Sequence, residues 1–332
     1  MGSSTSGTEG APMNLHEVAK RLGGEVSGVS IVCPGPSHSP KDRSLSVRFN
    51  GPSDFVVTSF AGDDWKVCKD YVKDRLGIAD NDYQRSDGLH RKAWAATLAA
   101  QLAVEKAERT AQQRAKALEV WRGVKPLLGS VAQAYLVEAR AIPGAIVQQA
   151  VEVGNLAFHP ALSSLFGVKS ASTHPAMIAR AIDPAGEFVG IHATFLETDG
   201  SGKIQTIGAN GKKMLGAGFM GASVRLGSGP QVVLAEGLET ALSAGHLLGL
   251  SPVAALSAGG VEAWRPWDGL ESITLAVDVD KSGTGQKAAE AAAISLTRLG
   301  ARVAGSATAP DNHKDFNDTL RARVRKLQEA AQ

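Results

Sequence analysis

The chain has 332 residues, of which 43% are hydrophobic and 20% charged, and its formal net charge is +2 at pH 7. This composition is typical of a globular protein with two or three domains, and it excludes a general electrostatic attraction to nucleic acid. Any basic surface must therefore come from a local cluster of lysine and arginine residues.

Other features of the composition exclude further classes of protein. Two cysteines are too few for a disulfide framework and fit a reducing compartment. No apolar run approaches the roughly 18–20 residues that span a bilayer, and no charged-then-apolar signal peptide is present. We therefore expect a cytoplasmic protein that does not bind membranes.

The N-terminal part is predicted to be a small α+β module. Residues 1–12 are rich in Gly, Ser and Thr and are expected to be disordered, so the module spans 13–77. Its short strands alternate in character and are punctuated by Pro and Gly. The predicted elements are a helix over 15–22, strands over 30–33, 44–49 and 54–60, and a helix over 65–76.

Cys33 and His38 in this module could form half of a zinc site, because Cys and His at short spacing ligate zinc. A tetrahedral site needs four ligands, however, and the other cysteine, Cys68, falls on a predicted helix. We therefore predict that both cysteines are small buried residues, that His38 is a loop residue, and that the module holds no zinc.

Residues 78–150 are predicted to form a helical linker region. The segment 78–92 is polar, and the Ala-rich, charged stretch from Arg91 to Trp121 contains no proline and predicts one long helix. A second helical segment over 131–139 follows Ser130, a residue type that favours the N-cap position.

Residues 151–228 are predicted to be a β-rich subdomain with a basic face. Two strands, 174–180 and 190–196, flank a turn at 183–186, and the segment 211–216 precedes a Gly-rich stretch. Antiparallel strands could align the basic side chains on one face, although scattered surface charges remain the alternative. The basic residues are Arg180, His192, Lys203, Lys212, Lys213 and Arg225.

From residue 229 to 332 the pattern changes to alternating strands and helices. Strands are predicted at 232–235, 252–256, 273–277 and 303–307, and a last helix at 318–330. Repeated strand and helix of this kind predicts a mostly parallel sheet flanked by helices. The fold class is therefore α/β.

Acidic residues directly follow two of these strands. Glu236 comes after the first strand, and Asp278 and Asp280 come after the strand at 273–277. Because the carboxyl ends of parallel strands meet at one edge of a sheet, we expect these carboxylates to form a cage for a hard divalent cation such as Mg²⁺. The alternative is that Asp278 and Asp280 only cap the helix that follows them.

Three motifs of this region together resemble the Toprim domain, which is shared by bacterial-type primases, topoisomerases and related nucleases. They are AEGLETALS at 235–243, LAVDVDKSGTGQKAA at 275–289 and HKDFNDTL at 313–320. The resemblance implies that Glu236, Asp278 and Asp280 are catalytic and bind metal. It further implies that Asp315 is a metal ligand and that Asn317 belongs to the same acidic motif.

The preceding parts of the chain resemble primases that carry this domain. Their Toprim domain follows a basic antiparallel subdomain whose ridge holds template and nucleoside triphosphate. The residues that this resemblance assigns to the ridge are Lys213, Lys212, Arg180, His192 and Arg225. The N-terminal module resembles a degenerate zinc-binding primase domain, and the whole arrangement is most similar to primases of phages, plasmids and integrated mobile elements.

Two positions depart from the primase pattern. Thr240 stands where an aspartate is usual, and Glu239 lies one residue earlier. The second pair of zinc-ligating cysteines would fall near Ser59 and Gly62, so that pair is absent.

The function that the resemblance implies is that of a DNA primase. Such an enzyme uses Mg²⁺ or Mn²⁺ to make short RNA primers from ribonucleoside triphosphates on single-stranded DNA, beside a separate replicative helicase. Two other functions stay open on the sequence alone: a Toprim nuclease or phosphodiesterase, and a non-catalytic protein that binds single-stranded DNA.

Overall fold

The computed structural model describes residues 14–79, 88–164, 166, 172–279 and 283–330. The chain divides into two compact units, one ending at Glu108 and the other beginning at Arg109. The predicted disorder of 1–12 and the predicted ligand Asp280 lie outside the described residues. Within these ranges no helix combines the length and the apolar character needed to cross a membrane.

The first unit is built on a four-stranded antiparallel sheet in the order β1-β2-β3-β4. Its elements are α1 (Leu15–Leu22), β1 (Glu25–Ser27), β2 (Ser30–Cys33), β3 (Leu45–Phe49), β4 (Phe55–Ser59) and α2 (Trp65–Leu76). The side chains of Asn14 and Asp64 cap the two helices, and Gly23 and Gly77 end them in the left-handed conformation. The local sequence therefore sets both ends of each helix.

The two cysteines are free thiols in the core of this unit, and each is 0% exposed, as predicted. Burial raises the pKa of the Cys33 thiol to about 11, so that it stays protonated near neutral pH. His38 lies in a loop, also as predicted. Its Nδ1 lies 2.8 Å from an Asp42 oxygen and its Nε2 lies 3.2 Å from an Asp63 oxygen. Both ring nitrogens therefore contact carboxylates.

A long helix, α3 (Gly88–Arg122), contributes to both units. Leu98 packs in the hydrophobic core of the first unit, and Ala117 packs in a core of the second. The helix predicted from the sequence begins at Arg91. In the structure it begins at Gly88, about one turn earlier.

The second unit begins with short helices and an antiparallel sheet in the order β5-β6-β7-β8. The elements are α4 (Val131–Ala134), a π-helical turn (Tyr135–Ala139), α5 (Gly144–Glu152), β5 (Leu156–Ser163), β6 (Thr173–Ile182), β7 (Phe188–Phe195) and β8 (Lys212–Gly216). Ser130 accepts a hydrogen bond from the Ala132 amide and caps α4, as predicted.

The two faces of this antiparallel sheet bury different cores. Ile178 faces the core that includes the end of α3, and Met177 faces the large core that also contains residues of the C-terminal sheet. The strand pairing places His192 and Lys212 on the Met177 face. Lys213 is the next residue along β8 and therefore lies on the opposite face.

The C-terminal sheet has the order β13-β12-β10-β11-β9, in which β9 alone is antiparallel to its neighbour. Its elements are β9 (Val224–Arg225), β10 (Gln231–Ala235), α6 (Leu238–Leu248), β11 (Ser251–Ala254), α7 (Ala258–Ala263), β12 (Ser272–Val277), α8 (Thr284–Arg298), β13 (Val303–Thr308), a 3₁₀ turn (Pro310–Asn312) and α9 (Phe316–Ala330). Val232 and Val233 of β10 belong to separate cores on the two faces, which is typical of a parallel strand covered on both sides. The predicted α/β fold class is confirmed.

Substitution of Cys33 distinguishes packing from zinc ligation. Because the site is fully buried, Cys33→Ser should lower the free energy of unfolding by about 1–3 kcal/mol, through burial of a hydroxyl group. Ser39→Ala in the exposed loop should change it little. Urea unfolding and metal analysis measure both effects. One zinc per wild-type chain that is lost from Cys33→Ser would contradict the packing interpretation.

Candidate functional site

A cleft of about 660 Å³ opens where the parallel strands of the second unit end. On one wall, β10 leads into Glu236 and β12 leads into Asp278. The other wall includes Lys212 of β8 and Lys203 of the loop before it. The cleft therefore places carboxylates of the parallel sheet opposite ammonium groups of the antiparallel sheet.

The strand pairing explains why the carboxylates meet. β10 and β12 are parallel neighbours, with Leu234 beside Leu275, so the residues that follow them emerge at the same edge. The Val279 amide donates a 2.8 Å hydrogen bond to the Lys314 carbonyl oxygen, which brings the segment before α9 to this edge as well.

Asp315 has two roles in this arrangement. It lines the cleft, and its Oδ1 accepts a 2.8 Å hydrogen bond from the Asp318 amide in the first turn of α9. This capping bond fixes the carboxylate at a helix N-terminus, where the helix dipole favours a negative charge.

The carboxyl group of Asp278 has a raised pKa. Burial raises its pKa to about 7, and the nearby charges of Asp315 and Glu236 add to this effect, while Lys314 and Lys212 oppose it. Its Oδ1 is buried and makes no hydrogen bond within the described parts of the chain. A buried carboxylate oxygen without a donor, close to like charges, is an environment that a bound cation stabilises.

The donor set is suited to a hard divalent cation. Glu236, Asp278 and Asp315 offer carboxylate oxygens, the ligand type that Mg²⁺ prefers. Among the residues with described positions, no three His, Cys, Asp or Glu side chains converge closely enough to ligate an ion by themselves. Mg²⁺ usually retains water or substrate oxygens as further ligands, so the chemistry of the cleft fits it.

Glu239 organises the basic wall from the first turn of α6. Its Oε1 lies 3.7 Å from the Lys203 Nζ, and its Oε2 lies 3.6 Å from the Lys212 Nζ. The Tyr135 hydroxyl donates a 2.6 Å hydrogen bond to Oε1 and accepts one of 2.9 Å from the Arg140 Nε. These residues form a network in which two ammonium groups contact one buried carboxylate and Arg140 is joined to it through the Tyr135 hydroxyl.

Glu239 is ionised in spite of its burial. Burial alone would raise the pKa of Glu239, but the charges of Lys212 and Lys203 outweigh it, and with the Tyr135 hydroxyl they hold the pKa well below its usual range. Burial lowers the pKa of Lys203, and Glu239 opposes that shift. Glu239 and Lys203 therefore stabilise each other's charged forms.

Three of the five residues predicted to bind nucleotide or template line this cleft: Lys212, Lys213 and His192. The Lys213 Nζ also donates a 2.5 Å hydrogen bond to the Ser164 carbonyl oxygen. His192 is 4% exposed, and burial together with the charge of Lys212 lowers its pKa to about 4. His192 is therefore neutral near pH 7 and, unlike the expectation from the sequence, supplies no positive charge.

The other two predicted cations have different surroundings. Arg225 stacks its guanidinium 4.0 Å from the centre of the Trp267 ring and donates hydrogen bonds to the carbonyl oxygens of Asp183 and Pro184. Arg180 lies on the sheet face opposite His192, beside Ile191. The contacts of Arg225 thus stabilise the fold, and neither arginine is part of the basic wall around Glu239.

Several residues of the cleft are not evident from the sequence. Lys203 is predicted only as one of several basic residues, and Glu239 has no predicted role, although it lies three residues after Glu236. No sequence pattern indicates a role for Tyr135 or Arg140. Tyr135 is 104 residues from Glu239 along the chain, so no local pattern connects the two.

Comparison with known families identifies two segments of the second unit. Residues 231–326 match the model of the Toprim domain, and residues 111–226 match a domain of unknown function, DUF7146. A comparison with curated proteins gave no match.

Two solved structures resemble the chain. One is the Aquifex aeolicus primase (zinc-binding and RNA polymerase domains), with 16% identity, a TM-score of 0.41, and coverage of 95% of this chain and 82% of that one. The other is the RNA polymerase domain of Mycobacterium tuberculosis primase DnaG, with 17% identity, a TM-score of 0.37, and coverage of 65% and 82%. Both TM-scores are too low to establish a common fold.

The C-terminal part of the chain is a Toprim domain, as its sequence motifs indicated. This domain contributes Glu236, Glu239, Asp278 and Asp315, while the segment of unknown function contributes Tyr135, Arg140, Lys203 and Lys212. The cleft is therefore made jointly by the two matched segments.

Asp278→Asn should change how stability depends on pH when no divalent cation is present. A carboxyl group with a raised pKa binds its proton more tightly in the folded state, so its stabilisation is present below about pH 4 and is lost as the pH rises through about 7. Wild type should therefore lose roughly 1–3 kcal/mol relative to Asp278→Asn between about pH 5 and pH 8.

Urea unfolding in a chelator at the two pH values measures this difference. Mg²⁺ should restore the stability of wild type near pH 8 and have little effect on Asp278→Asn. Asp268→Asn, in an exposed loop, is the matched control and should behave like wild type. Parallel pH curves for wild type and Asp278→Asn would contradict the assignment.

Proposed function

We propose that this protein is a metal-dependent DNA primase that makes short RNA primers on a single-stranded DNA template. The observation that carries the proposal is the two-walled cleft, with Glu236, Asp278 and Asp315 on the Toprim wall and Lys203 and Lys212 on the other. Nucleotidyl transfer needs both walls, because the reacting phosphate requires a cation site and the remaining phosphates require fixed positive charge.

The carboxylates would hold the cation and assist the attacking group. A bound Mg²⁺ or Mn²⁺ supplies neutralisation of the triphosphate charge and makes the attacking 3′-hydroxyl more acidic. Asp278, Asp315 and the proposed ligand Asp280 would provide its oxygen ligands. Glu236 would be a further ligand or the general base that accepts the proton of the 3′-hydroxyl.

The lysines would bind the phosphates of the incoming nucleotide or of the template. Lys203, Lys212 and Lys213 line the cleft. The ammonium groups of Lys203 and Lys212 lie beside Glu239 and suit phosphate oxygens, whereas that of Lys213 would have to leave the Ser164 carbonyl oxygen to bind one. His192, which is neutral, would act only as a hydrogen-bonding group. Its Nδ1 is buried and without a partner in the described part of the chain.

The proposal also covers the substrates, the partner proteins and the class of primase. The substrates would be ribonucleoside triphosphates and single-stranded DNA. A separate replicative helicase is the proposed partner that would unwind the duplex. The motifs support a primase of the type carried by phages, plasmids and integrated mobile elements.

Primer synthesis is the direct test. Wild-type protein with Mg²⁺ or Mn²⁺, labelled ribonucleotides and single-stranded DNA should make short oligonucleotides. Glu236→Gln and Asp278→Ala should each reduce synthesis by at least about 100-fold, because each removes a group from the metal site. Glu262→Gln, an exposed position on α7, is the matched control and should retain activity.

Each other result of this assay points to a named alternative. Degradation of the template without synthesis would replace the proposal with a Toprim nuclease. Binding of single-stranded DNA without synthesis or degradation, unchanged in Asp278→Ala, would replace it with a non-catalytic binding protein.

The two adjacent lysines of β8 should differ in their effect on nucleotide binding. The ammonium of Lys212 belongs to the Glu239 network, whereas that of Lys213 donates to the Ser164 carbonyl. Lys212→Ala should therefore raise KM for nucleotide by roughly tenfold, and Lys213→Ala by less. Steady-state kinetics of primer synthesis measures both, and a larger effect of Lys213→Ala would reverse this ranking.

A further inference from the structure

Glu239 forms ion pairs with two lysines but accepts no hydrogen bond from either ammonium group. Each of its oxygens is paired with a different ammonium group, at 3.7 Å for Lys203 and 3.6 Å for Lys212. These separations are those of ion pairs rather than of hydrogen bonds, so the N–H groups of both lysines remain able to donate to a ligand. Both lysines line the cleft.

The carboxylate itself is held firmly. Glu239 is 6% exposed and lies in the first turn of α6, where the helix dipole favours a negative charge. The Tyr135 hydroxyl donates to its Oε1, and the hydroxyl is oriented because it also accepts a hydrogen bond from Arg140. The Ser243 hydroxyl donates to the backbone carbonyl oxygen of Glu239 and accepts a hydrogen bond from the Asn317 side chain.

We propose that Glu239 is a positioning residue that holds Lys203 and Lys212 as a clamp for two neighbouring phosphate groups of a nucleoside triphosphate. The proposal rests on the proposed function for the identity of the substrate. Two ammonium groups around one carboxylate leave a net positive charge, and the rigid carboxylate keeps them apart and oriented before the substrate arrives. Pre-arranged charges of this kind bind an anion without the cost of ordering two long side chains.

The sign of the effect of Glu239→Gln separates this role from a simple charge effect. If Glu239 only adds a negative charge near the anion site, its removal should tighten the binding of a polyphosphate. If Glu239 positions the lysines, its removal leaves two half-buried ammonium groups without their counterion. Burial lowers the pKa of Lys203, and the neighbouring charges of Lys212 and Arg140 act in the same direction once Glu239 is neutral.

Calorimetric binding of inorganic tripolyphosphate to the full chain tests the proposal. Relative to wild type, Glu239→Gln should bind roughly tenfold more weakly near pH 8.5, and the difference should shrink near pH 6.5, because a lower pH favours the protonated form of Lys203. Comparison with wild type at each pH cancels the titration of the ligand. A purely structural role of Glu239 would not produce this pH dependence.

Further variants keep the test decisive if Glu239→Gln does not fold. Tyr135→Phe retains the carboxylate but removes its hydrogen bond, and it should weaken binding by about threefold. Lys203→Met should weaken binding at both pH values, because it removes the ammonium group itself. Near pH 8.5 the double variant should be little worse than either single one, because both act on the same clamp. Glu262→Gln, at an exposed position on α7, is the control and should bind like wild type.

The clamp and the proposed function can fail separately. Three results would contradict the clamp. One is that Glu239→Gln, with an unchanged melting temperature, binds tripolyphosphate as tightly as wild type or more tightly at both pH values. The others are unchanged binding by Tyr135→Phe and the absence of binding by wild type. Binding that depends on Glu239, in a protein that makes no primers, would retain the clamp and reject the primase.

Discussion

Three carboxylates lie close together in the cleft of this protein, and lysine ammonium groups near them partly offset their repulsion. Glu236, Asp278 and Asp315 meet at one edge of the parallel sheet, and their mutual repulsion adds to the burial that raises the pKa of Asp278. Lys212 and Lys314 reduce this repulsion but do not remove it. A cation bound beside these carboxylates would offset their remaining repulsion.

The carboxylates of one wall and the lysines of the other are held in place by different interactions. The Toprim wall is made by strand ends, which are fixed by backbone hydrogen bonds and hold their carboxylates in place before any cation binds. The lysine wall is made by long side chains, which lose rotamer entropy when they are ordered. The contacts with Glu239 and Tyr135 supply that order, so the lysine wall acquires the rigidity that the backbone hydrogen bonds give the Toprim wall.

The sequence predicted the parts of the site that depend on local pattern. A strand followed by an acidic residue identifies Glu236 and Asp278, because the edge where parallel strands end follows from topology alone. The cations were less predictable. Adjacent lysines such as Lys212 and Lys213 alternate between the two faces of β8, and only the pairing of that strand shows which face reaches Glu239. The burial that makes His192 neutral likewise depends on packing between distant segments.

The π-helical turn at Tyr135–Ala139 has a consequence for how such a site can arise. Its backbone hydrogen bond joins the Arg140 amide to the Tyr135 carbonyl, five residues apart, where an α-helix would join residues four apart. The wider turn brings Arg140 over the Tyr135 ring, at 5.2 Å from its centre. This turn holds one residue more than an α-helical turn, so deletion of one residue within it would be expected to remove the geometry. The loss of one residue, far from the carboxylates in the sequence, would therefore separate Arg140 from Tyr135 and so weaken the hydrogen bonding that holds Glu239.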